Sequence, residues 1–176
     1  MKPQIMFKLI LFSTLLITMF SCEKDNLFVE VVVDSQLSVK LYLESKDTLV
    51  IDNQKLILET NLYRDFTPGV TIKPQKSTPK RGLVALFFIV NIDSLSISKK
   101  FEIKKLYVIN GEQIWMSNPN AQQFNELPLN KIFWFSKNGP EWEPRIYVDV
   151  VVVIEDLNTS GLKYLIAKNQ LINRIE

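Results

Sequence analysis

The chain has no histidine and a single cysteine, Cys22, among its 176 residues. Without histidine there is no Ser-His-Asp or Cys-His machinery, and zinc sites of the usual Cys/His type have no ligands. One cysteine forms neither an internal disulfide nor a redox pair. Charge of one sign is also lacking. The 21 basic residues stand against 19 acidic ones, and Lys2 and Lys8 fall in the first 21 residues, so the remainder is balanced. That argues against the basic patch of a nucleic-acid binder and against a long-range field to steer charged ligands. A calcium loop with Asp or Asn at every second position is missing. Asp156-Leu157-Asn158 is only a fragment of one and reads better as a turn.

What is present begins at the N-terminus. Lys2 and Lys8 precede an apolar run, Leu9 to Phe20, that is interrupted only by Ser13 and Thr18. A run of about 12 residues suits the core of a secretory signal and is short of the ~20 that span a bilayer. Ser21 then places a small residue before Cys22, and charge returns with Glu23, Lys24 and Asp25. Met19-Phe20-Ser21-Cys22 resembles a bacterial lipobox, with Met19 and Phe20 where that pattern usually has Leu and a small or branched residue. The resemblance implies that residues 1–21 are a lipoprotein signal peptide. Cys22 then takes a diacylglycerol on sulfur, and 22–26 form a lipidated tether. Glu23-Lys24-Asp25 resembles the charged export signal of surface lipoproteins of Bacteroidota. It implies a lipid-anchored protein of the outer membrane, facing the cell surface rather than the periplasm. Asp47-Thr48-Leu49 and Asp93-Ser94-Leu95 resemble the short O-glycosylation pattern of the same envelope proteins.

From Leu27 onward the pattern is extended chain, and residues 27–176 are expected to form one domain with a real core. Leu27–Val33 is a β-branched run. Leu37, Val39, Leu41 and Leu43 alternate with polar or amphipathic residues, which predicts a half-buried strand. Thr48–Ile51 and Lys55–Leu62 flank a turn at Asp52-Asn53-Gln54. Thr67 to Gly82 is rich in proline and lysine and reads as a long loop. Leu83–Asp93 predicts a central strand buried on both faces. Phe101–Ile109 and Glu112–Met116 form a hairpin across Asn110-Gly111. Ser117–Leu127 is polar, with room for one helical turn. Lys131–Ser136 is a strand, and Lys137–Pro144 a turn-rich loop. Arg145–Glu155 is the longest strand, with Val148, Val150, Val152 and Ile154 on one face. Leu162–Ile166 and Gln170–Ile175 run back. The expected fold is all-β: an antiparallel β-sandwich of seven to ten strands, immunoglobulin-like in general shape.

Trp115, Trp134 and Trp142 are the large aromatics. The first two lie in strands and read as core. Trp142 lies in a Pro-bounded loop and, with Tyr147, is the candidate ligand platform, although a tryptophan there also serves to plug one end of a sandwich. Glu141, Glu143, Asp149 and Asp156 show no spacing that marks an acid–base pair. The reading is a non-enzymatic envelope protein without cofactor, metal or nucleic-acid partner, held to the membrane by its N-terminal lipid. Its role is binding or assembly. The alternatives are a carbohydrate-binding accessory module, and an inhibitor or structural partner of a secreted protein acting through a free sheet edge.

Overall fold

A computed structural model of the chain describes residues 30–67, 81–121 and 127–176. The signal, Cys22 and the tether lie outside the described residues, as do most of the Thr67–Gly82 loop and the centre of Ser117–Leu127. In chain order the elements are β1 (Glu30–Val33), α1 (Ser35–Glu44), β2 (Ser45–Lys46), β3 (Leu49–Ile51), β4 (Gln54–Asp65) and β5 (Val84–Asn91). They continue with β6 (Phe101–Asn110), β7 (Gln113–Ser117), β8 (Asn120–Ala121), β9 (Lys131–Ser136), β10 (Tyr147–Asp156) and β11 (Gly161–Ile175).

All eleven strands join one curled sheet with the path β1-β7-β6-β10-β11-β4-β5-β9-β8, while β2 pairs with β11 and β3 with β4. The all-β class is as expected, but the pairing is mixed rather than purely antiparallel. β11 runs antiparallel to β10 as far as Leu171, then parallel to β4 over Ile172–Ile175, and its Tyr164–Leu165 pair is parallel to β2. The two returning strands expected at Leu162–Ile166 and Gln170–Ile175 are therefore one 15-residue strand. It passes from one arm of the sheet to the other. A bulge opposite Asp149, with Asn169 at φ 55°, supplies the irregularity between the halves. The extra residue bends the strand, and the Asp149 Oδ1 carboxylate oxygen accepts the Asn169 N–H at 2.6 Å.

Local chemistry sets the hairpins. Ile51 pairs with Gln54 across Asp52 and Asn53, both at positive φ (51° and 60°), the conformation that Asn and Asp tolerate in two-residue hairpin turns. Asn110 pairs with Gln113, so the turn centres on Gly111-Glu112, one residue later than the sequence reading, with Gly111 at φ 60°.

The main core draws on both arms. Leu106, Val108, Val150, Val152 and Leu165 come from one, and Leu56, Leu62, Ala85, Phe87 and Ile89 from the other. β10 has the predicted facing. Val148, Val150, Val152 and Ile154 enter this core, whereas Val151 enters a second, smaller one with Leu41, Ile109, Ile114 and Ile166. β5 differs from expectation. Its Ala85-Phe87-Ile89 face is buried, but Leu86 and Phe88 opposite are only half-buried, with Phe88 packed against Phe133.

The segment expected as an alternating strand over Leu37–Leu43 is the helix α1. Asp34 is extended (φ −147°, ψ 97°) and its Oδ1 accepts the Leu37 N–H at 2.9 Å, a side-chain N-cap. Leu37 and Leu41 are four apart and face the smaller core, with Ser38 buried beside them. The same residues satisfy a period of two and a period of 3.6. The cap and the burial of Leu41 decide for the helix.

Candidate functional site

The loop between β9 and β10 carries Trp142 and is fixed from three sides. Gly82 and Gly139 bring two backbones together: Leu83 N–H donates to Pro140 O, and Gly139 N–H donates to Leu83 O. A Cβ on Gly82 would lie 2.5 Å from Gly139 O, and one on Gly139 would lie 2.8 Å from the Trp115 ring. From below, the buried Arg64 donates through Nη1 to Glu141 O at 2.9 Å and Trp142 O at 2.8 Å, and through Nε to Arg81 O at 2.8 Å. The indole N–H of Trp142 donates to Gln113 Oε1 at 2.6 Å, and its ring packs half-buried on the main core. Trp142 is a plug with a satisfied polar end. Trp115 and Trp134 are buried in the same core, and Trp134 stacks on Phe87 at 6.1 Å.

Tyr147, the other half of the platform read from the sequence, opens β10 and is 65% exposed. Among the described residues no ring contact joins it to Trp142, so each stands alone. Glu141 and Glu143 are both exposed, and Glu141 Oε2 lies 3.9 Å from Arg64 Nη2. Asp156 is a turn-former. Its Oδ1 accepts Asn158 N–H, its carbonyl accepts Thr159 and Ser160 N–H, and its Oδ2 pairs with Lys163 at 2.8 Å. The hydrogen bond from Lys163 is the largest reason its carboxyl is held below the usual range. Asp149 accepts Tyr42 Oη at 2.6 Å as well as the bulge N–H, tying α1 to the sheet. Burial, followed by that hydrogen bond to Asp149, pushes the Tyr42 hydroxyl above its ordinary value. These carboxylates organise backbone.

The arginines form a further cluster. Arg64, Arg81 and Arg174 place their guanidinium carbons 4.9, 5.4 and 4.3 Å from the centre of the Phe66 ring. Arg64 and Arg174 are direct neighbours in the parallel pairing of β4 and β11. The negative face of the ring offsets a juxtaposition of like charges that would otherwise be unfavourable.

The feature missed by the sequence reading is the outer face of α1. Val39 is 57% and Leu43 81% exposed. Being four apart, they share one stripe, opposite the side that Leu41 buries. A shallow groove runs along this stripe, and a second continues from Glu44 to Val50 and Leu162, themselves 57% and 56% exposed. Once the segment is read as a helix, the signal is visible, because Val39 and Leu43 fall off the face defined by Leu37 and Leu41.

Among the described residues no helix is long and apolar enough to cross a membrane, and no group of three or more His, Cys, Asp or Glu is placed to hold a metal ion. Thr48 and Ser94, the hydroxyls of the two glycosylation-like patterns, are both exposed. Compared with known proteins, the chain matches no family model, no curated protein and no solved structure.

Proposed function

We propose that this chain is a lipid-anchored protein of a Gram-negative outer membrane, tethered through Cys22, with a non-enzymatic role in binding or assembly. The observation that carries the reading is the sole cysteine, placed where the apolar run ends and directly after Ser21. The position of β1 supports it. Among the described residues this strand pairs only with β7, at one rim of the sheet, so a tether entering at Glu30 leaves the core undisturbed. In the same reading the arms of the curled sheet act as the two layers of a sandwich of immunoglobulin-like general shape, since one core draws on both. A crystal structure with the arms packed about 10 Å apart is the expected result.

Metabolic labelling with an alkyne fatty acid tests the anchor. The native chain is expected to take the label, and Cys22→Ala to lose it and keep its leader. A native chain that stays unlabelled removes the reading. Protease added to intact cells then gives the side. Digestion supports the cell surface, and protection until the outer membrane is opened supports the periplasmic face.

A second reading, a carbohydrate-binding accessory module, is favoured by the exposure of Tyr147. Trp142→Ala and Tyr147→Ala are each expected to abolish retention on a glycan array. Because Trp142 also plugs the core, Tyr147→Ala is the cleaner test. Unchanged retention in that variant excludes this use of the platform.

A further inference from the structure

Helix α1 has apolar residues on two sides. Leu37 and Leu41 meet the smaller core. Val39 and Leu43 point away from it, and the groove they line meets at Glu44 a second groove lined by Val50 and Leu162. Single exposed apolar residues need no explanation, but two exposed apolar pairs lining grooves that meet at Glu44 mark a surface that meets something. Lys40, Lys46 and Lys163 line the same two grooves. Lys40 lies 3.9 Å from Glu44 and Lys163 pairs with Asp156, and among the described residues Lys46 has no such ion pair. Apolar residues with a basic margin make a surface suited to the boundary between headgroups and acyl chains.

The chain that leads to this face limits what it can meet. Eight residue steps separate Cys22 from Glu30, and fully extended they reach about 28 Å. A folded body of roughly 150 residues has a radius of gyration near 15 Å and is close to 40 Å across. β1 leads directly through Asp34 into α1, and Asp34 N–H is bonded to Glu112 O. If Cys22 is acylated, the tether is shorter than the body, and the rim bearing β1 and α1 is held nearer the bilayer than the far side of the domain can be.

We propose that the Val39–Leu43 face of α1, with Val50 and Leu162, seats on the lipid surface and sets the orientation of the domain on its membrane. This rests on the Cys22 anchor proposed above. The occupant is the bilayer itself. The side chains of Val39 and Leu43 enter the acyl boundary, while Lys46 at the margin meets anionic headgroups.

The test uses the full-length acylated protein reconstituted into vesicles of phosphatidylethanolamine and phosphatidylglycerol. With Cys22 acylated, Leu43→Cys supplies the one free thiol for an environment-sensitive fluorophore. Val39→Cys is a second reporter should the first variant fail to fold. Leu129→Cys, at a residue likewise 81% exposed and lying just before β9 on the other arm, is the control. Position 43 is expected to shift to the blue and to be quenched several-fold more strongly than position 129 by nitroxide lipids labelled near the headgroup. Equal quenching at the two positions overturns the seat. So does a blue shift at 43 that appears only on adding an envelope protein fraction, or that rises with protein concentration, since these identify a protein partner or a second copy. Mass spectrometry of the same sample separates the two readings. An acylated Cys22 with position 43 in water removes only the seat, whereas an unacylated Cys22 removes the anchor and the seat together.

Discussion

Arg64 is 6% exposed and directs its donors mainly to backbone carbonyls. A carboxylate partner would neutralise its charge, and among the described residues only Glu141 pairs with it, at 3.9 Å. Three carbonyls from two separate loops converge on one planar group, a geometry that a guanidinium can satisfy and an ammonium cannot. Arg64→Met should leave those carbonyls without their donor and cost about 3 kcal/mol, read as a lower urea midpoint. Arg64→Lys should recover only part of the loss. An unchanged midpoint in Arg64→Met would show that the loop is held by its glycines alone. Those glycines have their own test. Gly82→Ala puts a methyl group against the Gly139 carbonyl, and a backbone atom cannot swing aside as a side chain does. A loss of about 1–3 kcal/mol is expected, with a red shift in tryptophan emission as the loop lifts and Trp142 meets water.

At the scale of the element, α1 is where sequence and structure part. Leu37, Val39, Leu41 and Leu43 fit an alternating strand, and the Asp34 cap is a short-range signal beside that pattern. What tips the balance is tertiary: the smaller core accepts Leu41 and has no place for Val39. Of the four residues that imitate a strand, Val39 and Leu43 are the two left exposed on the helix. Asp34→Ala should remove the cap at a cost of about 1 kcal/mol and raise hydrogen exchange in the first turn of α1 before the sheet is affected. Leu41→Ala should cost about 2–5 kcal/mol. If the two losses prove equal, the cap rather than the core holds the helix. The strands were far easier to read. The Val148-Val150-Val152-Ile154 face and the Asp52-Asn53 turn follow from period and turn chemistry alone. The close approach of Gly82 to Gly139 and the grip of Arg64 on Glu141 and Trp142 join residues more than fifty positions apart, and nothing local announces them. Trp142 could be named from the sequence, but its indole hydrogen bond to Gln113 could not.

For the molecule as a whole, the absence of histidine has a pH consequence. No side chain with an ordinary value near 6.5 is present, so stability is expected to be flat from about pH 5 to pH 8. Acid is different. Asp52, Asp65 and Asp156 are all held below the usual carboxylate range, chiefly by hydrogen bonds from Lys100, Thr67 and Lys163. A group lowered in the folded state contributes its stability above the unfolded value, about 3.9, and loses it as pH falls through the folded one. Chemical denaturation repeated down to about pH 2 should show a steep acid limb. Asp156→Asn should flatten it, and a limb of unchanged slope would assign the loss to other groups. The all-β class was legible from composition and alternation. The mixed pairing was not, because no local pattern distinguishes one strand bent at Asn169 from two.

That bent strand also sets an order of events. β11 is the last of the strands in chain order, and it alone hydrogen-bonds β10 on one side and β4 on the other. A chain emerging N-terminus first can pair β4 with β5, and β6 with β7, as soon as each is free. The two half-sheets acquire their backbone joint only when Gly161–Ile175 arrives. During synthesis the finished body is therefore withheld until Gly161–Ile175 is through, and a cut just before Gly161 would leave two unjoined halves with raw strand edges.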